Sequence, residues 1–171
     1  MKKSFMRFLS LTIVLALIAP VMINAQAGKP NFAGSWVANA EKSTPAPAGG
    51  QGGGGMRMGG GDFTATQDAN LLSVTRTRTG QDGTATTTVT KYTLDGKETV
   101  NTTQRGESKS TATWSADGKA LTIVTVSTFG DREMKTTEVW TLTDAKTLTV
   151  TSTRPGMDGA EVTTKRVYDK K

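Results

Sequence analysis

The sequence predicts an all-β fold: an antiparallel up-and-down meander of about ten strands, rolled into a closed barrel. Three observations predict it. From Asp62 onward, short Thr- and Val-rich runs alternate with turn signals every ~8–12 residues, and no segment shows a helical period. A hairpin-sized segment recurs along the chain. Large apolar residues are too few for two thick layers, whereas a closed meander also removes the sheet edges. The alternative arrangement is an open sheet or a β-sandwich.

The first stretch, "MKKSFMRFLSLTIVLALIAPVMINAQA", places Lys2, Lys3 and Arg7 before an apolar run, with small residues at Ala25 and Ala27. That is the layout of a secretory signal peptide at 1–25, cleaved after Ala25 or Ala27. The expected mature product is a single domain, 26–171, secreted or periplasmic. The apolar run is short for a bilayer span and broken by Pro20, and nothing later is apolar enough to cross. No membrane span is therefore expected in the mature chain. With no Cys after the apolar run, a lipid anchor there is excluded.

Strand one is read at 30–39, "PNFAGSWVAN". The run at 45–61, "PAPAGGQGGGGMRMGGG", cannot bury apolar surface and reads as a flexible surface loop. It lacks the Lys-Ser/Thr that would end a phosphate loop. The following runs, from "DFTATQ" to "AEVTTKRVYDK", supply the other strands. The turns between them carry "QDG", "LDG", "ADG", "TDA" and "MDG". Asp before Gly suits a tight turn, because Gly takes φ > 0 and Asp bonds nearby backbone. Short turns make consecutive strands antiparallel neighbours.

The repeat is specific. "LLSVTRTRTGQDGTATTTVTKY" aligns without gaps on "TLTVTSTRPGMDGAEVTTKRVY". Leu72, Val74, Arg78 and Tyr92 match Leu148, Val150, Arg154 and Tyr168. A looser third copy is "ALTIVTVSTFGDREMKTTEVW". Each copy reads as strand, Gly-Asp turn, strand. The copies are unequally spaced, against a regular solenoid or propeller.

Composition removes several function classes. The chain has 21 Lys+Arg and 15 Asp+Glu; three of the basic residues lie in the leader, leaving 18 − 15 = +3 on the mature part. That charge is spread along the chain and makes no case for nucleic acid. There is no His and no Cys. Thiol catalysis, Ser–His triads and the commonest zinc sites lack their parts. No catalytic residue, metal site or cofactor is expected.

Two ends of the chain resemble calycins, the group of lipocalins and fatty-acid-binding proteins. The residues are Phe32, Gly34 and Trp36 in "FAGSW", then Arg166 and Tyr168 in "KRVY". The resemblance implies a barrel in which a late basic residue packs near the first-strand Trp, or in which Arg166 and Tyr168 meet a ligand carboxylate. Fatty-acid-binding proteins place a helical lid after strand one, where this chain has its Gly-rich run. Over most of its mature length the chain is also similar to Thr-rich secreted bacterial proteins with "LDGKE" and "KRVY" runs, a likeness that implies no activity.

Strand parity gives an independent reading. Glu161, Lys165 and Asp169 share one face of the last strand and mark it as solvent-facing, so Val162, Thr164, Arg166 and Tyr168 point inward. Leu72, Val74 and Arg76 share a face, giving a second inward cation. Arg166 needs a partner inside a barrel. Three are available: Trp36 by cation–π contact, Glu138, or a ligand anion. The expected contact is Arg166 on Trp36, closing the barrel end. The expected function is a non-catalytic structural or protein-interaction module. The alternative is binding of a small amphipathic or anionic lipid-like ligand in the interior, with Arg166, Tyr168, Trp36 and Arg76 as binding residues.

Overall fold

The computed structural model describes residues 28–45, 60–80, 82–103, 106–130, 132–156 and 159–171. The expected leader at 1–25 and most of the Gly-rich run at 45–61 lie outside the described residues. Ten strands follow in order: β1 (Gly34–Asn39), β2 (Phe63–Gln67), β3 (Leu71–Thr79), β4 (Ala85–Thr93), β5 (Glu98–Thr103), β6 (Gly106–Trp114), β7 (Ala120–Phe129), β8 (Arg132–Asp144), β9 (Thr147–Pro155) and β10 (Glu161–Lys170). They form one antiparallel sheet in the order β4-β3-β2-β1-β10-β9-β8-β7-β6-β5. Every neighbouring pair is consecutive in sequence except β1 with β10, which joins the two ends of the chain.

The sheet curls until its edge strands, β4 and β5, meet. Their junction is not a backbone ladder. Asn101 accepts the Lys91 N–H at 2.8 Å and donates to the Lys91 carbonyl at 2.9 Å. Its amide thus stands in for a peptide group of the missing strand pair. One step along, Thr99 Oγ1 accepts the Thr93 N–H at 3.0 Å. The fold is a nearly closed barrel, and the open-sheet and sandwich alternatives are set aside.

The repeat is visible as identical register. Leu72 faces Tyr92 and Val74 faces Thr90 in one hairpin; Leu148 faces Tyr168 and Val150 faces Arg166 in the other. The turns match too. Gly80 N–H bonds the Thr84 carbonyl, and Gly156 N–H bonds the Ala160 carbonyl. The outer Thr77–Thr87 and Thr153–Thr163 hydroxyl pairs are both 3.0 Å apart.

The turn aspartates behave as the sequence predicts. Asp82, Asp95, Asp117 and Asp144 each accept the backbone N–H two residues on, at 2.7–3.1 Å. These bonds, with side-chain bonds to Thr84, Lys97, Ser115 and Thr147, hold the four carboxyls below their ordinary range. Gly83, Gly96 and Gly118 follow at φ near +70 to +80°, where a Cβ would be strained.

Alternating burial divides the two faces of each strand. Leu72, Leu121, Leu148, Trp36, Trp140 and Tyr168 are essentially inaccessible. One residue departs from its expected face. Val167 lies on the outward parity of β10 yet is buried, and it stands apart from the interior cluster. The chain after β1 folds back beside it: Ser43 Oγ accepts the Val167 N–H, and the Thr44 N–H bonds the Lys165 carbonyl.

Candidate functional site

The barrel interior has two unlike halves. At one end an aromatic plug fills the space. Phe32 stacks on Trp114 at 5.9 Å and meets Trp140 edge-on at 5.6 Å; Phe63 packs against Trp140 at 5.5 Å and Tyr168 at 5.0 Å. The segment before β1 crosses this end. Gln67 pins it, accepting the Phe32 N–H and donating to the Pro30 carbonyl. Trp36 donates its indole N–H to the Phe32 carbonyl at 2.9 Å, fixing its ring within the plug.

Beyond the plug the inward positions turn polar. Thr88, Thr90, Thr125, Ser152 and Thr164 follow the buried apolar residues on the same strand faces. They keep partial exposure, whereas the plug residues other than the partly buried Trp114 keep almost none. Ser110, which faces Thr125 and lies 2.9 Å from its hydroxyl, is buried among them, so this half is lined by hydroxyls rather than by aromatic rings.

Arg76, Arg166, Tyr168, Tyr92 and Glu138 gather at the boundary between the halves. Arg76 lies over the Phe63 ring at 4.5 Å, donates to the Gly61 carbonyl at 3.3 Å and hydrogen-bonds the Tyr168 hydroxyl. Arg166 packs against Gly60 so closely that a Cβ added there would overlap its guanidinium. The backbone leading into β2 thus lies against both arginines. Glu138 accepts the Trp140 indole N–H at 3.0 Å.

The two tyrosines report this environment. Burial pushes the Tyr168 hydroxyl above its usual range; the nearby Arg76 and Arg166 oppose that shift, and Glu138 adds to it. The Tyr92 ring is partly exposed, but its hydroxyl lies deep in the barrel. Burial pushes it up, and Glu138 reinforces this while Arg76 opposes it. Both stay neutral hydrogen-bonding groups at ordinary pH.

The four residues singled out from sequence divide between the halves. Arg166, Arg76 and Tyr168 come together as parity required. Trp36 does not join them, and the expected Arg166–Trp36 closure is corrected. The cation over Trp36 is Lys170, 5.4 Å from the ring centroid. The register is the reason: Trp36 faces Lys170, whereas Arg166 faces Val150. Four residues along a strand is roughly 13 Å, which carries Arg166 into the polar half. Lys29 lies over Trp114 at 5.3 Å in the same way. Sequence reading missed Lys170 and Asn101. Among the described residues, no group of three or more acidic side chains is placed to hold a metal ion.

Two solved structures, both mutants of the fluorescent protein UnaG, resemble this chain. One is 22% identical, with a TM-score of 0.52 over 82% of this chain and 96% of that one. The other is 19% identical, with a TM-score of 0.46 over 81% and 95%. The first likeness, with the ten-strand meander, shows a fatty-acid-binding-protein-like, calycin-type fold. No family model and no curated protein matches the sequence.

Proposed function

We propose that this protein is a non-catalytic binding module, exported from the cytoplasm, that holds a small amphipathic anion inside the barrel. One observation carries this reading: Arg76, Arg166 and Tyr168 converge at the floor of the polar half of the barrel. Two guanidiniums and a neutral hydroxyl there offer directed donors to an oxyanion. The aromatic plug beneath supplies an apolar floor for the ligand body. The calycin-type fold supports the reading, since such a barrel provides an interior.

The test is titration with anilinonaphthalene sulfonate, an anionic amphipathic probe whose emission rises on burial. Saturable binding is expected in the wild type. Arg166→Met keeps much of the packing of the stem and deletes the charge. It should weaken the probe by one to two decades, the worth of a charge-assisted contact of about 1.5–3 kcal/mol. No binding in the wild type would reject this proposal and leave the barrel as a structural or protein-interaction module.

A further inference from the structure

The strands sort their charges by face and by residue type. The described strand arginines all hold interior register positions. Arg76 and Arg78 follow Val74 on β3, Arg154 follows Val150 on β9, Arg166 faces Val150, and Arg132 precedes Met134 on β8. One strand carboxylate, Glu138, shares that face, opposite Ile123. The lysines do the reverse. Lys91, Lys109, Lys135 and Lys165 point outward, and Lys170, over Trp36, is the interior exception. The outer face is acidic in balance, with Glu98, Glu107, Glu133, Asp144, Glu161 and Asp169 against those four outward lysines.

This segregation has a chemical meaning. Lysine serves a solvated surface. Arginine presents a planar fork that matches carboxylate and phosphate oxygens. Arg76 and Arg166 are half-buried at the floor, while Arg78, Arg132 and Arg154 are exposed toward the mouth. Among the described strand positions the interior sets five arginines against one carboxylate, Glu138, and Arg76 also donates to the Gly61 carbonyl. The interior thus carries a graded positive field along its axis, and concave walls focus it. Arg78 and Arg154 occupy equivalent positions of the two repeated hairpins. The wall between floor and mouth bears Thr and Ser hydroxyls, which suit a ligand body with hydrogen-bonding groups better than an alkyl tail.

Building on the anion site proposed above, we infer that the ligand is a hydroxyl-bearing molecule with two or more oxyanion groups spaced along the barrel axis. Its inner group meets Arg76 and Arg166, and its outer group meets Arg78 and Arg154.

Calorimetric titration at low ionic strength with fructose 1,6-bisphosphate, citrate and laurate tests this. The bisphosphate or citrate should bind more tightly than laurate, and added salt should weaken them. Whichever of the two binds identifies phosphate or carboxylate as the recognised group. The double variant Arg78→Gln/Arg154→Gln changes exposed residues far from the plug. It should weaken these polyanions roughly tenfold or more. If laurate binds, Arg166→Met abolishes that binding and the double variant leaves every probe unchanged, the polyanion inference falls and the simpler anion site stands. If none of the three binds, the polyanion inference falls, and saturable binding of anilinonaphthalene sulfonate decides separately whether the anion site stands.

Discussion

Trp114 and Trp140 share the plug but differ in hydrogen bonding. Trp140 donates to Glu138, whereas the buried Trp114 indole N–H has no acceptor. Trp140→Phe removes a donor from a carboxylate and should cost about 1.5–3 kcal/mol. Trp114→Phe removes an unsatisfied group, and relief of that penalty offsets lost packing, so it should cost less than about 1 kcal/mol. Urea unfolding of the two variants compares them; equal losses would mean that packing alone governs both sites. Trp36→Ala is a large-to-small change at a site only 1% exposed and should cost about 3–5 kcal/mol. A loss below 1 kcal/mol in the same assay would contradict its place in the plug. At this scale inward parity was readable from alternation, which is how Arg76, Arg166 and Tyr168 were found. The partner of each cation was not readable. The Trp36–Lys170 contact depends on how β1 meets β10, and no local pattern encodes the register of strands so far apart in sequence.

At the level of elements, the repeated hairpins and the seam between β4 and β5 are built on different principles. Hairpins rest on turn chemistry that a sequence displays: Asp, then Gly, then a return strand. Their boundaries, and the shared register of the two copies, were therefore legible. The seam rests on one side-chain amide acting as a peptide group, and an isolated Asn in a Thr-rich strand carries no signal for that. Asn101→Leu keeps much of the volume but removes both bonds to Lys91. It leaves a partly buried backbone N–H and C=O without their partner, which should cost about 1–3 kcal/mol. The effect should be local first. Hydrogen exchange at the Lys91 amide should accelerate much more than exchange at amides of the β7–β8 ladder. Uniform acceleration would mean that the seam and the rest of the barrel open as one unit.

The whole molecule combines a chain without His or Cys, carboxylates placed in turns and tyrosines placed in the interior. Apart from the chain's amino terminus, no side chain type present ordinarily titrates between roughly pH 5 and 8. Stability should therefore be level across that window. On the acid side, Asp82, Asp95, Asp117, Asp144 and Asp169 all hold folded values below the ordinary carboxylate range. Their contribution is present above that range and is lost as pH falls through the lower folded values. On the alkaline side the direction reverses. Tyr92 and Tyr168 are the two tyrosines of the chain, and both have raised folded values. Their contribution is complete below about pH 10, the unfolded value, and is lost as pH rises from there toward the folded values. Tyrosinate absorbance isolates this from lysine titration. In the folded protein it should stay low through pH 10 and then rise together with loss of the near-ultraviolet circular dichroism. A tyrosinate signal with its midpoint near pH 10 in a chain that keeps its tertiary signal would show that the phenols are solvated, and would remove the neutral hydroxyl from the floor of the anion site.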